Sequence, residues 1–197
     1  MPDDKTVVPS IRTERLSLRT WRDDDLPAFA ALGADVRVME HFPGTLSRSE
    51  SDAFAARVRA HFAERGFGLW AVEVPGVTPF AGFVGLAVPR FEAHFTPCVE
   101  VGWRIAAEYW NRGYASEAAR AAVTDGFTRL GLDQIVSFTA AVNRPSRRVM
   151  DKLGMTHDPA EDFDHPSLPA GHRLERHVLY RLRASVYHEV GVTSAVQ

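Results

Sequence analysis

The sequence predicts an α/β (α+β) domain, and three observations lead there. An apolar stretch at 99–105, bounded by turn signals, reads as a buried strand, followed by a short turn containing Gly113 and a long helix. The succession repeats: a strand at 135–141 runs into a short helix closed by Gly154. Before both, 69–74 and 80–88 read as strands of a hairpin joined by the turn-rich link Pro75-Gly76-Val77-Thr78-Pro79.

Residues up to about 10 read as a flexible lead-in. Leu16 and Leu18 alternate with Arg15, Ser17 and Arg19, the pattern of a half-buried strand. Asp23 or Asp24 then caps a helix carrying Leu26, Phe29, Ala30 and Leu32, with Gly33 near its end. A loop containing Glu40 and His41 leads to the capping box Ser47-Arg48-Ser49-Glu50, and the helix behind it places Phe54, Val58 and Phe62 on one face until Gly66. Residues 89–97 look irregular. In the long helix Ala118, Ala122, Val123, Phe127 and Leu130 recur at helical spacing up to Gly131. Residues 157–173, rich in Asp, His and Pro, lack periodicity, whereas 177–182 alternate cleanly as a last strand. Beyond Ala184 the tail is expected to fray. With no internal repeat or linker, the 197 residues make one domain, with a core at about 11–184.

Composition narrows the partners. With 23 Lys and Arg against 25 Asp and Glu, the net charge of -2 gives no electrostatic reason to expect nucleic acid or an acidic membrane surface. No apolar run is long enough to cross a bilayer, and Met1-Pro2-Asp3-Asp4-Lys5 lacks the basic-then-apolar pattern of a signal peptide. The single Cys98 cannot form an internal disulfide and reads as a structural thiol. A cytoplasmic protein is expected. His157, His165, His172 and His177 have no metal-site spacing, and no metal is expected.

The turn Trp110-Asn111-Arg112-Gly113-Tyr114-Ala115-Ser116 carries the first chemistry. A helix's opening turn leaves backbone N–H groups unpaired at the positive end of its dipole, and a glycine there lets an anion approach the backbone. Arg112 adds a full charge. On the turn alone, an ordinary strand-to-helix connection fits as well as a phosphate site.

The second stretch, Asn143-Arg144-Pro145-Ser146-Arg147-Arg148-Val149-Met150-Asp151-Lys152-Leu153-Gly154-Met155, changes the weighing. Together the two stretches resemble the signatures of the GCN5-related N-acetyltransferases (GNAT). The first signature, Gln/Arg-x-x-Gly-x-Gly/Ala, has Trp110 in place of its leading residue, as is usual in the RimJ/RimL-like branch. The second, Asn-x-x-Ser-x-x-Val-x-x-Lys-Leu-Gly-Met/Phe, matches at each fixed position. The resemblance runs from Thr13-Glu14-Arg15-Leu16 to the strand holding Tyr180.

This resemblance implies a mixed, mostly antiparallel sheet of about six to seven strands with splayed central strands, flanked by about four helices. It implies acetyl-CoA as donor and direct transfer to a primary amine on a protein N-terminus, peptide or small molecule. The diphosphate would rest on the turn from Trp110 to Ser116, and the pantetheine would pair with the edge at Trp103, Arg104 and Ile105. Asn143 could hydrogen-bond the pantetheine or simply open a turn. Ser146 could be a helix N-cap, protonate the departing thiolate, or both. Arg148, with Arg147 and Lys152, marks either a solvated face or a phosphate contact. Glu100 shares a sheet face with Gly102 and Arg104, and would be either the general base or a carboxylate paired with an arginine; His165 and His172 are its rivals. Glu40 and His41 read most simply as solvated loop residues. A non-enzymatic acyl-CoA-binding module is the alternative reading, and a sheet edge near the C-terminus could support a homodimer. A dinucleotide-dependent oxidoreductase is disfavoured, since the turn has one glycine where that fingerprint needs three.

Overall fold

The computed structural model describes residues 9–187; the expected lead-in before them and the tail beyond them lie outside that range. In chain order the elements are β1 (Ile11–Arg12), β2 (Ser17–Arg19), α1 (Leu26–Ala34), α2 (Arg48–Arg65), β3 (Leu69–Val74), β4 (Thr78–Ala87), β5 (Glu100–Ile105), α3 (Tyr114–Thr128), β6 (Gln134–Ala140), α4 (Arg144–Lys152), β7 (Thr156–His157), β8 (Phe163–Asp164) and β9 (Arg176–Arg183). They form one sheet in the order β1-β2-β3-β4-β5-β6-β9-β7, with β8 also paired to β9. All pairings are antiparallel except β5 with β6. The three two-residue strands, too short to show an alternation, raise the count above the expected six to seven.

The sheet is two tightly laddered halves joined by a thin seam. β4 and β5 pair over six positions, Gly82↔Ile105 to Ala87↔Glu100. β6 and β9 pair over seven, Gln134↔Arg183 to Ala140↔His177. Between the halves, β5 and β6 share a single pair, Glu100↔Val136. Just past it the Ser137 hydroxyl donates to Val101 O at 2.9 Å, so a side chain takes the carbonyl that a continuing ladder would have used. Gly82 helps keep β5 with the first half, because a Cβ there would stand 2.2 Å from Arg104 O.

One face of the first half is covered by α1 and α2 through an aromatic cluster. Trp21 meets Phe29 edge-on at 4.8 Å between ring centroids, and Phe54 lies 5.3 Å from Phe29 and 5.4 Å from Phe83. The other face receives α3, whose Ala118, Ala119, Ala122 and Val123 are fully buried. Small residues let that helix come close: a Cβ on Gly126 would reach within 2.8 Å of Ile135 Cδ1. α2 starts at the expected capping box, Ser47 Oγ accepting from Glu50 N–H (3.3 Å) and Glu50 from Ser47 N–H (2.7 Å), and stops at left-handed Gly66.

Three boundaries differ from expectation. Neither Asp23 nor Asp24 caps α1; residues Asp23–Asp25 form a single 3-10 turn and Asp25 is the buried member. Asp25 accepts from Arg22 N–H at 2.7 Å and holds Arg19 with two hydrogen bonds of 2.7 and 2.8 Å. Arg19, itself buried, completes its set with Glu73 and the carbonyls of Thr20 and Pro79. α3 ends at Thr128 rather than Leu130, because Leu130 N–H turns back to Asp125 O at 3.2 Å and Gly131 (φ 65°) redirects the chain. After β9 the chain does not fray at Ala184: residues 184–187 make a helical turn, and Tyr187 packs 5.2 Å from Phe127.

Replacing Asp25 by Ala leaves the buried Arg19 short of its main partner, and should cost about 3–5 kcal/mol. The exposed neighbour Asp24→Ala should cost less than about 0.5 kcal/mol. Urea unfolding followed by tryptophan fluorescence checks the contrast.

Candidate active site

The α3 mouth is built by two left-handed residues. Asn111 (φ 59°) and Gly113 (φ 81°) flank Arg112, and the first helical bond is Glu117 N–H to Gly113 O at 3.0 Å. The amides ahead of Glu117 therefore carry no helical partner and gather at the positive end of the helix, the arrangement that binds anions. Trp110, 44% exposed, donates its indole N–H to Ile105 O at 2.7 Å and so ties the turn to the end of β5.

A clamp that sequence reasoning missed holds this turn. Arg15 grips Glu117 through Nε (2.7 Å) and Nη2 (2.6 Å), and donates from Nη1 to Arg112 O (2.9 Å). Thr13 Oγ1 donates to Glu117 at 2.6 Å, and Arg15 N–H adds a bond of 3.0 Å. Burial pushes the Glu117 carboxyl up, but the Thr13 hydroxyl and the Arg15 groups outweigh it and hold it below the usual carboxylate range. Thr13 and Arg15 stood in the family-like stretch with no assigned role, since a pairing across about a hundred residues leaves no local pattern.

Beyond the Glu100↔Val136 pair the two halves of the sheet part. Val99 O accepts from Val136 N–H and Val101 O from Ser137, so the odd residues of β5 turn their backbone toward β6. By the alternation of a strand, Trp103 and Ile105 do the same into the gap. Arg104 is a correction to the expected cofactor edge. It pairs with Phe83 of β4, and its guanidinium lies on the opposite side among Phe42, Phe54 and Phe83.

On the far wall Asn143, not Ser146, caps α4. Asn143 Oδ1 accepts from Ser146 N–H at 3.2 Å and its Nδ2 donates to Thr139 Oγ1 at 2.9 Å, so both ends of its buried amide are engaged. Ser146 is thereby set in the first turn, half-buried, with its hydroxyl in none of the described hydrogen bonds. Arg148 is exposed, whereas Arg147 turns back to Ala141 O and the Tyr180 hydroxyl.

On the α1/α2 face a cavity of about 320 Å³ is lined by Phe54, His61, Phe91, Glu100, Phe138 and His165, among others. The irregular stretch after β4 borders it through Val88, Pro89 and Arg90. Glu100 takes part in none of the described ion pairs, so the arginine partner that the sequence allowed it is not there. Burial instead pushes its carboxyl up to about 7. His165 is held below the usual histidine range by burial, and its ring lies 4.8 Å from His177. His172 accepts from Leu174 N–H and is not among the cavity-lining residues. Glu40 is exposed, and its carbonyl accepts from Arg173. Burial raises the Cys98 thiol to about 11, which keeps it protonated at neutral pH. Among the described residues no His, Cys, Asp and Glu group could hold a metal ion, and no helix is long and apolar enough to cross a membrane.

The acetyltransferase (GNAT) domain profile matches residues 15–156 of this chain. The uncharacterized N-acetyltransferase YnaD of Bacillus subtilis is 31% identical over 82% of this chain and 89% of its own. A GNAT-family acetyltransferase structure from Bacillus anthracis superposes with a TM-score of 0.74 at 27% identity, covering 90% of this chain and 99% of that one. RimL, a ribosomal L7/L12 alpha-N-protein acetyltransferase solved with coenzyme A, has the same fold, with a TM-score of 0.70 at 15% identity over 89% of this chain and 98% of its own. The parted strands, the bare helix mouth and these likenesses agree: the chain belongs to the GNAT family and is an acetyl-CoA-dependent N-acetyltransferase.

Proposed function

We propose that the chain acetylates a primary amine in a ternary complex, with donor and acceptor meeting at the parting of β5 and β6 from opposite faces of the sheet. The observation that carries this reading is the single Glu100↔Val136 pair, which leaves the edge of β5 free beside the mouth of α3. Bound acetyl-CoA supplies the activated thioester carbonyl. The amides from Asn111 to Ser116 hold its diphosphate, with Trp110, Arg112, Tyr114 and Ala115 around them. Trp103 and Ile105 offer backbone groups to the pantetheine as an added strand would. Arg148, exposed on α4, neutralises nucleotide phosphate in this reading.

Glu100 accepts a proton from the acceptor amine. A base must be ionised to act, and one pushed up to about 7 gains its proton affinity without being fully protonated at neutral pH. Once the acetyl carbon has bonded to nitrogen, the Ser146 hydroxyl donates a proton to the departing sulfur and recovers one from solvent. Asn143 serves as a positioning residue: its amide is spent on capping α4 and so fixes Ser146. The spelling of the first motif favours the RimJ/RimL-like branch, and the lone free Cys98 accords with a cytoplasmic setting.

Three outcomes test these roles. Glu100→Gln should lower kcat by about 10²–10⁴-fold, and should remove the limb of the wild-type pH–rate profile that rises through about pH 7. Ser146→Ala should slow turnover more than it weakens CoA binding; equal losses in calorimetry and steady-state kinetics would make Ser146 a cofactor clamp. Gly113→Val adds a branched side chain to a left-handed turn, where even a Cβ would lie 3.3 Å from Arg15 Nη2, and should abolish CoA binding in the same calorimetric titration.

A further inference from the structure

Arg104 is half-buried, with part of its guanidinium shut off from solvent and lacking the partners such a group requires. Among the described residues its Nε and Nη1 are the arginine nitrogens that are both buried and without a hydrogen bond. Arg19 shows how this fold satisfies a buried guanidinium, with two carboxylates and two carbonyls. Arg104 has rings instead: its guanidinium carbon lies 4.1 Å from the Phe42 centroid, 5.3 Å from Phe83 and 5.8 Å from Phe54. Cation–π attraction returns part of the lost hydration but satisfies no N–H in the guanidinium plane. Burial lowers Arg104 to about 10, which leaves it charged at neutral pH.

Its place on β5 says what the free edge is for. Glu100, Gly102 and Arg104 share one face of the strand, so Cα atoms of the first and last stand about 13 Å apart. The side chains can reach toward each other across Gly102, where an added Cβ would meet nothing within 4 Å. The strand thus presents a proton acceptor, an open floor and an unpaired cation in a row.

We propose that Arg104 is the acceptor's anchor: its Nε–H and Nη2–H edge, which enters none of the described hydrogen bonds, binds a carboxylate on a primary amine whose nitrogen lies at Glu100. The proposal rests on Glu100 being the base. A carboxylate is favoured over a phosphate because it is planar and can meet the guanidinium edge-on, two bonds in one plane, between rings that cover the faces. The acceptor class is therefore an amino carboxylate or a short peptide with its terminal carboxylate a few bonds from the amine.

The test compares ω-amino carboxylates of three to six carbons with their carboxamides and phosphonates, by steady-state kinetics with acetyl-CoA. The Arg Nε–H resonances are followed by ¹H–¹⁵N NMR in the CoA-loaded protein, with the Arg104 signal assigned by its loss in Arg104→Lys. Carboxylates of one preferred length should exceed their carboxamides in kcat/KM by about tenfold to a hundredfold and shift the Arg104 signal. Arg104→Met, which keeps an unbranched apolar stem under the rings, should erase that preference through KM. Equal turnover of acid and amide with an unmoved signal would overturn the anchor, and so would a preference for phosphonates. A shifted signal with no amine acetylated would uphold the anchor and instead overturn the assignment of Glu100 as base.

Discussion

The structure depends on a seam that is closed at one point only. Two half-sheets, each laddered over six or seven positions, meet through Glu100 and Val136 and then diverge. Unpaired strand edges are costly and prone to unwanted pairing, so an edge left open in the middle of a sheet calls for an occupant. An extended molecule with amide groups meets that need as a strand would. The divergence also brings the gap beside the mouth of α3, because that helix connects the two parting strands. Cradle for an anion and slot for an extended arm are thus two consequences of one break in pairing.

The same break sorts the side chains of β5 by parity. Odd residues turn their backbone to the gap, while the side chains of Glu100 and Arg104, with Gly102 between them, face the α1/α2 layer. A proton acceptor can then stand at the closed end of the seam without obstructing the donor's path. Burial raises its affinity for a proton, and among the described residues no arginine forms an ion pair with it to undo the effect. The arginine that β5 itself places on that face is held among aromatic rings farther along the strand.

Much of this was legible in the order of residues, and the limits have physical causes. Glycine and capping signals are local, so the turn at Gly113, the capping box at Ser47 and the left-handed stop at Gly66 could be read directly. The parity of β5 follows from strand geometry, and it put Glu100, Gly102 and Arg104 on one face. Pairings between distant elements leave no such mark. The Arg15–Glu117 clamp, the choice of Asp25 over its two neighbours and the burial of Arg104 under Phe42 each depend on where the chain returns. Asn143 and Ser146 lie between these cases: the motif named both, but which one capped α4 depended on where the helix began.

The most direct test of the central idea is a crystal structure with acetyl-CoA bound. The account predicts diphosphate oxygens within hydrogen-bonding distance of the amides between Asn111 and Ser116, pantetheine along Trp103 and Ile105, and the thioester carbonyl at the parting of β5 from β6, near Glu100. A cofactor lying elsewhere, or β5 and β6 laddered along their length with the α3 mouth empty, would contradict it.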